Sequence, residues 1–168
     1  MSYVYKMLPT PVGELMLIAS DNGLAGVLWE NERPAARLGT LQPSAYHPLL
    51  LETERQLNAY FAKELRSFSL PLDFVGTDFQ KRVWAALRTI PFGETRSYAE
   101  IARQIGNPSA VRAVGAANGR NPISIITPCH RVIGSNGTLT GFAGGLKAKA
   151  FLLAMESGEG VLQGELGV

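Results

Sequence analysis

The sequence predicts an α+β chain in two parts, residues 1–75 and 76–168, and three observations carry that expectation. Two apolar runs, 13–20 and 24–30, meet at Asp21-Asn22-Gly23, and Asn-Gly between such runs is a hairpin signal. Residues 49–65 repeat apolar side chains at helical spacing, through Leu50, Leu57, Tyr60, Phe61 and Leu65. Residues 76–158 carry helix starts and stops rather than strand alternation.

Taken in order, residues 3–7 add a strand before Pro9, and the hairpin follows. A stretch bearing Pro34, Pro43 and Pro48 leads to the helix over 49–65, and residues 67–74 read as extended. Nothing in this half pairs a nucleophile with a base, so it reads as a scaffold. Thr77, with Gln80 in the reciprocal position, caps a helix presenting Phe79, Val83, Trp84 and Leu87, which Pro91 and Gly93 end. Ser97-Tyr98-Ala99-Glu100 has the capping-box form and opens a helix with Ile101, Ala102 and Ile105 on its apolar side. Gly106 stops it, and Asn107-Pro108 starts a second helix over 109–119, Asn as cap and Pro in the first turn. Two short helices around a glycine-containing turn make a helix-turn-helix candidate, a form shared by DNA-binding proteins and ordinary helical cores. The second helix is lined with Ala110, Ala113, Gly115, Ala116, Ala117 and Gly119, with Arg112 its one long charged side chain before Arg120. Small residues permit close approach, either to another helix or to a ligand. A guanidinium standing alone among them suits insertion between stacked bases.

Composition narrows the function. Hydrophobic residues make up 46% and charged residues 18%, which is globular rather than disordered. No run approaches the roughly 18 apolar residues of a membrane helix, and MSYVYKMLPT lacks the regions of a signal peptide, so a soluble cytoplasmic protein is expected. One cysteine and two histidines leave no internal disulfide and no multi-ligand metal site, so neither metal nor cofactor is expected. Residues 76–154 hold ten Lys/Arg against Asp78, Glu94 and Glu100, whereas residues 1–75 hold six against eight acids. That imbalance fits either a solvated basic surface or a polyanionic partner.

The chemistry concentrates after residues 123–127, an apolar, β-branched run that reads as a strand delivering Cys129 just past its end. His130 and Arg131 follow it, and nearby positive charge lowers a thiol pKa from its reference of about 8.5. Neighbours in an extended segment face opposite ways, so coupling Cys129 to His130 requires a turn at Cys129 or a bridging water. The glycines from Gly134 to Gly145 supply a loop able to shape a pocket.

Pro128-Cys129-His130-Arg131-Val132-Ile133 resembles the active-site signature of the methylated-DNA–protein-cysteine methyltransferases. Thr77 to Pro91, Ser97-Tyr98, Arg112-Ala113-Val114-Gly115, Asn121-Pro122, Gly144-Gly145 and Met155-Glu156-Ser157-Gly158 share the family's order and spacing. The resemblance covers most of residues 76–158, and over 1–75 it is looser, implying a small ribonuclease-H-like domain. It implies that Cys129 takes the alkyl group from 6-O-alkylguanine by in-line displacement, with His130 abstracting the thiol proton through a water. Glu156, in a helix over 146–156, is implied to hold the histidine, and Asn121 to tie the active-site loop to the helix-turn-helix. Tyr98 is implied to bond the guanine and supply a proton to the departing oxygen. Arg112 is implied to replace the flipped nucleotide, with Tyr98, Ala113, Ala116 and Asn118 beside it on double-stranded DNA. Cys129 and Val132 would offer backbone carbonyls to the exocyclic amine, and Phe142 would stack on the base. Ala143 departs from the serine of some relatives, which touches the guanine oxygen, and this bears on how bulky an alkyl group fits.

The expected product is a thioether, which water does not hydrolyse, so each molecule acts once, on 6-O-methylguanine and on 4-O-methylthymine. The expected state is a monomer with cooperative binding on DNA. The alternative is a non-catalytic binder of alkylated DNA or a signalling protein. Cys129 argues against the binder, and the lack of a cysteine cluster in residues 1–75 argues against a methylation sensor. A thiol hydrolase would turn over repeatedly, and its base seldom follows its nucleophile directly in sequence. No role is assigned to residues 159–168.

Overall fold

The computed structural model describes residues 2–158, so the tail 159–168 lies outside the described residues. The chain divides into two compact units, 1–75 and 76–168.

The first unit is built on a four-stranded sheet ordered β3-β2-β1-β4, from β1 (Val4–Thr10), β2 (Gly13–Ala19), β3 (Leu24–Leu28) and β4 (Gln42–Pro43). β1 and β2 pair antiparallel from Val4↔Ala19 to Thr10↔Gly13. Strand β1 therefore runs past Pro9, where an end at Met7 was expected. β4 pairs only with Val4 and Tyr5, so Pro9 lies beyond its ladder and its missing donor is not needed on that edge. Ser20 N bonds Gly23 O at 2.9 Å and closes the β2–β3 turn at Asn22-Gly23. Every residue of β3 is buried.

Helix α1 (Pro48–Phe61) buries Leu50, Thr53, Leu57 and Tyr60 at helical spacing and packs on β1 and β2. His47 caps it, its Nδ1 accepting from Leu49 N at 3.3 Å. The helix stops four residues before Leu65 because Lys63 turns left-handed at φ 64°. Residues 67–74 are extended but form no regular strand; Leu72 bridges Leu24, with bonds from Leu24 N to Pro71 O and Asp73 N to Leu24 O, each 2.8 Å.

In the second unit, α2 (Asp78–Leu87) and α3 (Tyr98–Gln104) both begin with complete capping boxes, Thr77 with Gln80 and Ser97 with Glu100. Helix α4 (Val111–Gly119) packs against both, and the buried Trp84 donates Nε1–H to Ala117 O at 2.9 Å. The helix starts later than expected. Ala110 N bonds Asn107 O at 3.0 Å, so residues 107–110 form a turn and Asn107 does not cap α4. The unit is completed by β5 (Arg96–Ser97) paired in parallel with β6 (Val132–Ile133), and by α5 (Leu146–Ser157). Mixed α+β architecture is thus the observed class. No described helix is long and apolar enough to cross a membrane.

Candidate active site

Residues 123–127, expected as a strand, fold into a tight loop. Asn121 is buried, and its Nδ2 donates to Thr127 O at 2.8 Å while its Oδ1 accepts from Ile123 N at 3.0 Å. One amide thus clamps both ends of the apolar run. Ile126 N bonds Ser124 O at 2.8 Å, and Ile125 is forced to φ 72°, a strained setting for a β-branched residue. The strand reading failed because a side-chain clamp overrides β propensity here.

Pro128 then leads into a 3-10 turn over Cys129–Arg131, closed by Arg131 N to Pro128 O at 2.9 Å. A turn at Cys129 is one of the two ways in which it could couple to His130, the other being a bridging water. Cys129, His130 and Arg131 are all buried. Below them, the last turn of α5 presents Glu156. His130 Nε2 meets Glu156 Oε2 at 2.8 Å; Arg131 donates Nε–H to Oε1 at 2.8 Å and Nη2–H to Oε2 at 2.9 Å. Arg131 also donates Nη1–H to Ile90 O at 2.7 Å and lies over the Phe92 ring. Gly93, at φ 86°, lets this region approach α5, since a Cβ there would stand 3.1 Å from Glu156 O.

The charges are opposed. Burial raises Glu156, but hydrogen bonds from His130 and Arg131 outweigh it and hold the carboxyl at about 2. An ionised carboxylate only accepts, so His130 Nε2 carries the proton and Nδ1 carries the lone pair. That Nδ1 is buried with no partner among the described residues. Burial pushes His130 below the ordinary imidazole value, Glu156 pulls it up, and Arg131 and Lys149 push it down again.

Lys149 escaped the sequence reading. It is fully buried, donates Nζ–H to Val132 O at 2.6 Å, and stands 5.9 Å from the Phe142 ring centroid. Its burial lowers it, and a thiolate at Cys129 would raise it. The available signal was spacing: Lys149, Leu152 and Glu156 fall at i, i+3 and i+7 on α5. Arg131 was read only as a nearby positive charge, although it binds the carboxylate that also binds His130.

On α4, Arg112, Ala113 and Ala116 are exposed together, whereas Val114, Ala117 and Asn118 are buried. Asn118, expected on the DNA side, instead points inward, its Nδ2 donating to Cys129 O at 3.4 Å. The helical period accounts for this: residue 118 falls on the face of 114, not that of 112 and 116. Tyr98 is half-buried and its phenol meets Thr140 Oγ1 at 2.5 Å. Phe142 and Ala143 are half-buried in the loop before α5. Among the described residues, no three His, Cys, Asp or Glu side chains could together hold a metal ion.

Residues 78–158 match the DNA-binding domain of the 6-O-methylguanine DNA methyltransferases, and residues 3–74 match the ribonuclease-like domain of the same proteins. The chain belongs to the 6-O-methylguanine DNA methyltransferase family. A methylated-DNA–protein-cysteine methyltransferase of Methanosarcina acetivorans is 50% identical over 155 residues, covering 90% of this chain and 97% of that one. Another, from Mycobacterium tuberculosis, is 51% identical over 154 residues, covering 90% and 91%. The crystal structure of Mycobacterium tuberculosis OGT in complex with DNA superposes with a TM-score of 0.87 at 46% identity, covering 100% of both chains. Membership places the ribonuclease-like half first and the DNA-binding half second, and gives DNA as this methyltransferase's partner.

Proposed function

We propose that this chain repairs double-stranded DNA by removing the alkyl group from the 6-oxygen of an alkylated guanine and keeping it on the sulfur of Cys129. The observation that carries this reading is the placement of Cys129 beside His130 on one buried turn, with Nε2 engaged by Glu156 and Nδ1 left as a base. His130 Nδ1 takes the thiol proton by way of a water, and the thiolate attacks the alkyl carbon in line. The S–C bond forms as the C–O bond breaks, and the electron pair stays on the base, which takes a proton from the Tyr98 phenol.

Attack at an sp³ carbon needs no oxyanion hole. The thioether formed is not hydrolysed, so one chain repairs one base.

A base edge inside the duplex is out of reach, so the nucleotide must leave the stack at a few kcal/mol. The exposed small face of α4 lets the backbone come close to the groove, and Arg112 fills the vacated space. The Cys129 and Val132 carbonyls receive the exocyclic amine, and Phe142 stacks on the base, worth about 1–3 kcal/mol. The Asn121 clamp holds the loop that leads into the turn, and Asn118 of α4 bonds the turn itself at Cys129 O. The chain acts as a cytoplasmic monomer binding cooperatively along DNA, with 4-O-methylthymine as a second substrate.

Cys129→Ser tests the assignment. Methyl transfer from methylated duplex should be abolished while affinity for that duplex changes less than about twofold, because the turn's backbone is kept; transfer by this variant would refute the role of Cys129.

A further inference from the structure

The loop between β6 and α5 closes mostly upon itself. Gly134 N bonds Thr138 O at 2.9 Å, Gly137 N bonds Gly134 O at 2.8 Å, and Thr138 Oγ1 donates to Asn136 Oδ1 at 2.7 Å. Thr140 does something different. Its hydroxyl reaches 42 residues back along the chain to the phenol of Tyr98, at 2.5 Å.

Tyr98 itself is well fixed at its backbone. It is the first residue of α3, directly after Ser97, which caps that helix and pairs with Ile133 in the ladder leaving the catalytic turn. What remains to be set is the phenol oxygen. Each hydroxyl has one proton to donate and lone pairs to accept with. In one polarity the phenol donates to Thr140, and its proton is occupied. In the other Thr140 donates, and the phenol proton remains available to a base in the pocket. Only the second polarity serves a proton donor, and it also strengthens as negative charge grows on the phenol oxygen, since hydrogen bonds to charged acceptors are the stronger ones.

We infer that Thr140 is a positioning residue for alkyl transfer: its hydroxyl donates to the Tyr98 oxygen, aims the phenol proton at the base, and supports that oxygen while the proton leaves. The inference rests on the proposed role of Tyr98 as proton donor to the departing base. In the step, the C–O electron pair passes to the base, the base takes the phenol proton, and the resulting phenolate accepts from Thr140 until solvent returns a proton. The same contact latches the glycine-rich loop carrying Phe142 and Ala143 to the start of α3.

Single-turnover transfer rates on a duplex containing 6-O-methylguanine test this, measured for the unmodified protein, Thr140→Val, Thr140→Ser, Tyr98→Phe and the Thr140→Val/Tyr98→Phe pair. Val keeps the shape and removes the hydroxyl. We expect Thr140→Val to be slower by about tenfold, the scale of one hydrogen bond to a developing charge. Thr140→Ser should return to within about twofold of the unmodified rate. The double variant should be no slower than Tyr98→Phe alone, because Thr140 acts through the phenol. Thr140→Val at the unmodified rate or faster, or losses that multiply in the double variant, would overturn the inference. A normal rate for Tyr98→Phe, or no transfer by the unmodified protein, would instead overturn the reading beneath it.

Discussion

Glu156 Oε2 lies 2.8 Å from His130 Nε2 in a site where the two side chains are 1% and 0% exposed. The same carboxylate is clamped at both oxygens by Arg131, whose guanidinium neutralises it. The consequence is a histidine oriented by a carboxylate yet kept neutral: Glu156 favours the imidazolium, while burial, Arg131 and Lys149 oppose it, and the balance lies below the ordinary value. A neutral base with a fixed tautomer is what removal of a thiol proton requires.

Glu156→Gln removes the one influence that raises His130. The histidine should then titrate lower still, so the acid limb of the transfer rate moves to lower pH, while the plateau falls by about tenfold as the base weakens, part of the ~10²–10⁴-fold that a positioned base supplies. The variant also leaves the Arg131 guanidinium buried without its partner, which should lower stability by about 3–5 kcal/mol in urea titrations. An unchanged pH profile and plateau would count against the His130–Glu156 network.

Lys149→Met should move the same limb the other way. The Lys149 charge is among the influences holding His130 down, and an isosteric apolar side chain removes it. His130 then titrates higher, and transfer begins to fail at a higher pH than in the unmodified protein. Opposite shifts in these two variants, read from one set of rate profiles, identify His130 as the group that titrates; shifts in the same direction would point to another group.

Arg112→Ala separates base flipping from phosphate attraction. A residue that only neutralises a phosphate would, when removed, weaken binding uniformly and reduce the salt slope by about one charge. Arg112 stands exposed on α4 with Ala113 and Ala116 and is the one charged side chain of that helix. The variant should therefore lose repair of duplex by at least about tenfold while reacting with free 6-O-benzylguanine within about twofold of the unmodified protein. The unmodified protein on the same free base is the control for how Ala143 shapes the pocket. Equal losses on both substrates would assign Arg112 to the fold or pocket.

The capping boxes at Thr77 and Ser97 were legible because both partners lie within four residues, and local hydrogen-bond chemistry decides them. The loop at 123–127 was not, because its conformation is imposed by the Asn121 amide and stores strain at Ile125 that propensity argues against. The start of α4 was misplaced for a related reason: Asn107 uses its carbonyl in a turn before the helix begins. The sequence marked Arg131 only as a charge near the thiol and did not single out Lys149, since what makes them interior cations are partners 17 to 41 residues away. Asn118 shows the same limit at one residue's scale. Small residues on α4 suggested a binding face, but only the packing of Val114 and Ala117 shows which way that face turns.

Intact mass after incubation with duplex containing 6-O-methylguanine, followed by peptide mapping, tests the central claim most directly. The account predicts a single added methyl per chain, located on Cys129, with the duplex restored to guanine in equal amount and no further reaction when fresh duplex is added. Repair continuing beyond one equivalent, or a methyl found on any other residue, would contradict it.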